Sequence, residues 1–163
     1  GEFKLGLLAG KYGEPPLLTG CKKGLLSLED AQVLIEELEQ DVHKNTEGNK
    51  SLTYLLAYNG GNDNDDVLKY LLSKGSGDEN DISKGRLDKK YGVPALLKGC
   101  EKGTLSFEDA YVLIDECNQD VNAYLKDTEG NRSLTYILAT LRGVPLRLSS
   151  VKSKPRISII FAK

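Results

Sequence analysis

Methionine and tryptophan are absent from the 163 residues, and histidine occurs once, at His43. A single histidine excludes a multi-histidine metal centre and most histidine-based catalysis. Apolar runs extend only a handful of residues, too few for a membrane-spanning helix. Cysteine is also scarce: Cys21, Cys100 and Cys117 form an odd set, unsuited to a disulfide framework. Cys21 and Cys100 share the context Leu-Leu-x-Gly-Cys-x-Lys-Gly, which predicts two buried core positions. The alternative, a reactive thiol, needs a nearby cation such as Lys23 or Lys102. A reducing intracellular compartment, the cytoplasm, is the expected home.

What is present is ordinary for a folded chain: 39% hydrophobic and 28% charged residues, with a formal net charge of -2. That charge hides a split. From Arg142 onward there are six basic residues and no acidic ones, which leaves 16 basic against 24 acidic residues, or -8, before that point. An acidic body and a basic tail are expected to contact different things.

The body is a duplication. Lys11 to Val42 matches Lys90 to Val121 at an offset of 79, with 22 of 32 positions identical. A second block, Thr46 to Ala57, matches Thr128 to Ala139 at an offset of 82, so the second copy carries three extra residues. Each copy reads as helices between glycine-bearing turns. Leu28, Ala31, Ile35 and Leu38 form an apolar stripe at helical spacing, repeated as Phe107, Ala110, Ile114 and Cys117. Ser27-x-x-Asp30 and Ser106-x-x-Asp109 resemble capping boxes at its start. Val67, Leu68, Leu71 and Leu72 make another stripe, with Lys74-Gly75 as its stop. Shorter helices are expected near Pro15-Pro16, Ser51, Pro94 and Ser133, and a strand only at Arg156 to Phe161.

These motifs resemble the ankyrin repeat. Asn45-Thr-Glu-Gly48 and Asp127-Thr-Glu-Gly130 are similar to that family's finger turn. Pro16-Leu17, Ser51-Leu52, Ala95-Leu96 and Ser133-Leu134 stand where its Pro-Leu pair opens the short helix, and Gln119-Asp120-Val121-Asn122-Ala123 is similar to the repeat end. The turn glycines Gly13, Gly48, Gly92 and Gly130 lie 35, 44 and 38 apart, longer than the family's period of about 33. The resemblance implies an all-α solenoid of about four helix-turn-helix repeats over residues 11–141. Residues 1–10 would form an N-terminal segment or cap, and 142–163 a basic, hydrophobic C-terminal cap or tail.

The resemblance also implies where a partner would sit. Tyr12 and Tyr91 would be finger tips, Tyr54 and Tyr136 would lie on inner short helices, and Tyr58 would lie near the end of one. Lys11, Lys22, Lys23, Glu47, Lys90, Glu101, Lys102 and Glu129 would form a charged rim. Tyrosine gives large contact area at low entropic cost; packing of some of these rings between repeats is the alternative.

Catalytic and metal patterns are weak. Asp127-x-Glu129-x-Asn131-x-Ser133 imitates an EF-hand loop but has Arg132 at the glycine position and Leu138 at the terminal glutamate. Acidic runs at Asp63, Asp65, Asp66 and at Asp78, Glu79, Asp81 are expected to be solvated loops. No glycine loop has phosphate-binding spacing, and no nucleophile is paired with a base. No enzyme, metal or cofactor is expected. The expected function is a non-catalytic protein-protein interaction module, an adaptor, scaffold or recognition domain. The alternative is charge-driven binding of nucleic acid or an acidic membrane through the tail. The tail could otherwise cap the array or be of artificial origin; capping is preferred because Ile157, Ile159, Ile160 and Phe161 would otherwise be exposed together.

Overall fold

A computed structural model describes residues 2–43, 50–61 and 63–121, together with the backbone alone of 146–151 and 154–159. Glu47, Glu129, Tyr136, both finger-turn motifs, the Asp127 loop and the tail side chains lie outside the described residues. So does the short helix expected at Ser133. The described body is helical, in keeping with the all-α expectation.

The helices are α1 (Glu2–Tyr12), α2 (Pro16–Lys23), α3 (Leu28–Gln32), α4 (Leu52–Asn59), α5 (Asp65–Ser73), α6 (Glu79–Tyr91), α7 (Ala95–Lys102) and α8 (Phe107–Tyr111). α3 and α8 each run on into a π-helical turn, Val33–Glu37 and Val112–Glu116. Near the C-terminus β1 (Leu146–Val151) and β2 (Lys154–Ile159) pair antiparallel, Leu146 opposite Ile159. The chain divides into two compact units, Gly1–Lys89 and Lys90–Lys163, and the division falls inside α6.

Local sequence sets the helix ends as expected. Pro16 opens α2 and Gly24 closes it in the left-handed conformation, its N–H bonded to the Cys21 carbonyl. Ser27 Oγ accepts from the Asp30 N–H and Ser106 Oγ from the Asp109 N–H, so both serines are N-caps. Ser51 caps α4 in the same way, through the Tyr54 N–H. Lys74-Gly75 ends α5, with Gly75 at φ +86°.

The two copies share backbone detail that their sequences do not advertise. Glu14–Pro15 and Val93–Pro94 are both cis, Gly13 and Gly92 have φ of +109° and +113°, and Glu39 and Asn118 are both left-handed. Buried residues repeat at the same offset: Tyr12, Leu17, Cys21, Leu26 and Leu34 in the first unit, Tyr91, Leu96, Cys100, Leu105 and Leu113 in the second. Each fully buried leucine contributes about 1.5–3 kcal/mol.

One expectation needs correcting, in the second copy of the apolar stripe. The stripe through α3 packs on the core: Ala31 is fully buried, Leu28, Ile35 and Leu38 pack against the core partly buried, and Leu34 is fully buried beside them. Leu34 stands three residues after Ala31, on the same helical face, and beyond α3 the Leu38 N–H bonds the Val33 carbonyl, five residues back, at 2.9 Å in the π turn. Phe107, expected in the equivalent stripe, is exposed. α1 is the counterpart of α6, and Leu8 and Leu87, one offset apart, are both buried.

Candidate functional site

The tyrosines expected at finger tips are the most buried part of their motifs. Tyr12 is 1% exposed and Tyr91 3%. Each ring lies against the glycine of Leu-Leu-x-Gly-Cys: a Cβ on Gly20 would stand 3.3 Å from Tyr12 Cδ1, and one on Gly99 3.3 Å from Tyr91 Cδ1. That glycine is the seat of the ring.

The Tyr12 hydroxyl donates to Asp30 Oδ2 at 2.5 Å and accepts from the Ser27 N–H at 3.3 Å. Lys11 Nζ donates to the same oxygen at 2.7 Å, 5.1 Å from the Tyr12 ring centroid. Tyr91, Lys90, Asp109 and Ser106 repeat this clasp, with Lys90 also 2.7 Å from its aspartate. The acid of each capping-box motif thus faces the end of the helix two before its own, α1 for Asp30 and α6 for Asp109. Desolvation raises the Asp30 carboxyl, but donors on Lys11, Tyr12 and Ser27 outweigh it and hold the group below its ordinary value; Asp109 follows the same order of causes.

Tyr54, expected on a binding face, is 8% exposed, and its hydroxyl donates to Asp88 Oδ2 at 2.5 Å. Desolvation first, then that carboxylate, pushes the phenol well above its usual range. Tyr58 is half-buried, stacked 6.1 Å from Tyr54 with Lys89 5.7 Å over its ring. Presentation of Tyr12, Tyr54 and Tyr91 to a partner is therefore corrected: their rings fill the interior and their hydroxyls are used within the fold. Of the expected rim, Lys11 and Lys90 are held in the clasps. Lys102 donates to the Tyr91 carbonyl at 2.6 Å and Glu101 lies 3.8 Å from Lys98, while Lys22 and Lys23 are exposed on α2.

Two features have no counterpart in that expectation. The first is a cleft of about 570 Å³ in the first unit, lined by His43, Lys50, Ser51, Ser76, Asp81 and Lys84 among others. Ser51 Oγ donates to Asp81 Oδ2 at 2.8 Å, and the Asp78 N–H reaches the same oxygen. Ser76 Oγ is buried without a partner among the described residues. The cleft offers hydrogen bonds and two ammonium groups, and its Ser51 hydroxyl, bonded to Asp81, also accepts from the Tyr54 N–H as the cap of α4. Among the described residues no group of three metal-ligating side chains occurs there. Cys21, Cys100 and Cys117 are all buried, and burial pushes the Cys21 thiol up to about 12.

The second is an apolar face on α1. Phe3 is 79% exposed and Leu7 60%, one helical turn apart. Gly6 lies between them, and a Cβ there would meet nothing within 4 Å. Sequence reasoning passed over this face because the clearest identity between the copies begins at Lys11. The signal available was Gly6, Leu8 and Lys11 recurring as Gly85, Leu87 and Lys90. Leu25, Val93, Phe107 and Tyr111 are the other large exposed apolar side chains among the described residues.

No family model, curated protein or solved structure matches the chain. Among the described residues no helix is long and apolar enough to cross a membrane.

Proposed function

We propose that the chain is a non-catalytic protein-interaction module of repeated helical units, an adaptor or scaffold part of an intracellular protein, as its ankyrin-like motifs imply. The observation that carries this reading is the α1 face. Phe3 and Leu7 stand in solvent one turn apart on a helix whose other side is anchored by Leu8 and Tyr12. Paired large apolar groups on a fixed helix form a helix-in-groove type of contact, and a rigid helix limits the ordering cost of binding. The tyrosines contribute by holding that helix in place.

The test is a capture experiment from lysate with the unaltered chain, a Phe3→Glu/Leu7→Glu variant and a Lys22→Ala/Lys23→Ala variant. Partner capture should be lost with the first variant and kept with the second. Equal capture by all three would remove α1 as the binding face.

A further inference from the structure

The cleft of the first unit draws its walls from three stretches of chain. Lys50, Ser51 and Tyr54 come from the start of α4, Gly75, Ser76 and Gly77 from the turn after α5, and Asp81 and Lys84 from α6. Hydrogen bonds tie these stretches to one another. Thr53 Oγ1 donates to the Ser76 carbonyl, and Asp81 Oδ2 accepts from both Ser51 Oγ and the Asp78 N–H. Gly77, at φ +85°, sits so near that a Cβ there would lie 2.6 Å from Ser51 Oγ and 2.3 Å from Asp81 Oδ2. A side chain at that position would push the start of α4 away from α6. At Gly75 a Cβ would stand 3.0 Å from His43 Cε1, so the imidazole lies directly against the turn.

The lining supplies donors and positive charge rather than apolar surface. Its large apolar side chains are Val42 and Tyr54 alone, and Lys50 Nζ lies 5.0 Å over the Tyr54 ring. Lys84 is half-buried and forms no ion pair among the described residues. Two ammonium groups thus stand against one carboxylate, and Oδ2 of that carboxylate already has two donors. Ser76 is 1% exposed, and its Oγ is buried in the wall without a partner among the described residues. A buried hydroxyl of that kind calls for a partner, and a bound oxyanion supplies one. A cationic ligand would meet both lysines, and a neutral one would gain nothing from their charge. A phosphate group has several strong acceptor oxygens and up to two negative charges, which is what two ammonium groups, an imidazole and a hydroxyl satisfy. We propose that this cleft binds a phosphate group, free or as a monoester, with Lys50 and Lys84 as its charge partners and His43 and Ser76 as further donors. The site shares no residue with the α1 face and is independent of it.

Titration calorimetry on the whole chain tests this with three probes at constant ionic strength: inorganic phosphate, O-phosphoserine and a short peptide carrying phosphoserine. At least one should bind saturably at one site per chain. Lys84→Ala should weaken that binding at least about tenfold, a change of about 1.4 kcal/mol, with an unaltered circular dichroism spectrum. Lys22→Ala/Lys23→Ala, which removes two exposed lysines of α2, should leave it unchanged. Asp81→Asn keeps an oxygen for Ser51 while removing the negative charge, so it should bind more tightly. If Asp81→Asn does not fold, Lys84→Ala against the α2 variant carries the test. Amide NMR shifts on adding the bound probe should centre on Ser51, Gly75, Ser76 and Gly77. Inorganic phosphate binding as tightly as the peptide would assign the site to the free ion. Binding of the peptide alone, lost on dephosphorylation, would assign it to a phosphate carried by a partner. No saturable binding of any probe overturns the site. Equal losses in Lys84→Ala and the α2 variant, or amide shifts that avoid the turn, overturn it as well.

Discussion

At the scale of single residues, the same carboxylate serves two helices. Asp30 would be expected to cap α3, and its N–H does bond Ser27, but its side chain closes on Lys11 and Tyr12 instead. Removing the phenol oxygen leaves the Ser27 N–H without its acceptor and the carboxylate with one donor fewer. Tyr12→Phe should therefore cost about 1–3 kcal/mol, read from the urea midpoint, and Tyr91→Phe a similar amount because its bonds have the same lengths. A loss below measurement in both would mean that the clasp is ornamental to stability. The identity of Lys-Tyr-Gly in both copies was legible in the sequence; its burial was not. A tyrosine beside a lysine reads as surface until Gly20, eight residues on, is known to receive the ring.

Among the elements, glycine separates close contacts from empty ones. Gly24 has φ +70°, and a Cβ there would lie 2.2 Å from the Asn59 carbonyl oxygen, where the end of α2 meets the end of α4. Gly24→Ala should cost at least about 1–3 kcal/mol from the left-handed backbone alone, with overlap against α4 adding to it. Gly10 is helical with open space around it, so Gly10→Ala should stabilise by about 0.5–1 kcal/mol. Thermal melts of both variants give the two signs, and a stable Gly24→Ala protein would contradict the α2–α4 contact. Helix starts at Ser27, Ser51 and Ser106 were legible, because caps are local chemistry. The burial of Leu34 and Leu113 was within reach too, since each stands three residues after a buried alanine on the same helical face. The α1 face escaped, because the clearest identity between the copies begins only at Lys11.

For the whole molecule, acid is the natural probe. Asp30 and Asp109 have carboxyls held below their ordinary value in the folded chain, and Lys4 and Arg86 do the same for the exposed Glu37 and Asp65. A depressed folded value means that the unfolded chain takes up protons first. The contribution to stability is thus complete above the ordinary carboxylate range near pH 4 and is lost as pH falls through the lower folded values. Urea midpoints should be level from pH 7 to about 5 and then decline, and Asp30→Asn/Asp109→Asn should flatten that decline. An unchanged slope would separate the clasps from acid sensitivity. The all-α body and its duplication were legible from 22 identities in 32 positions, since repetition survives ignorance of the fold. The same near-identity has a consequence during refolding. Each newly collapsing chain offers two interchangeable versions of α2 and α3, so a segment from one copy can complete the other, within a chain or between chains. Only the few unlike pairs, such as Leu28 against Phe107 and Gln32 against Tyr111, mark a segment as belonging to its own half, and divergence at those positions is what keeps recovery from a concentrated denatured solution faithful.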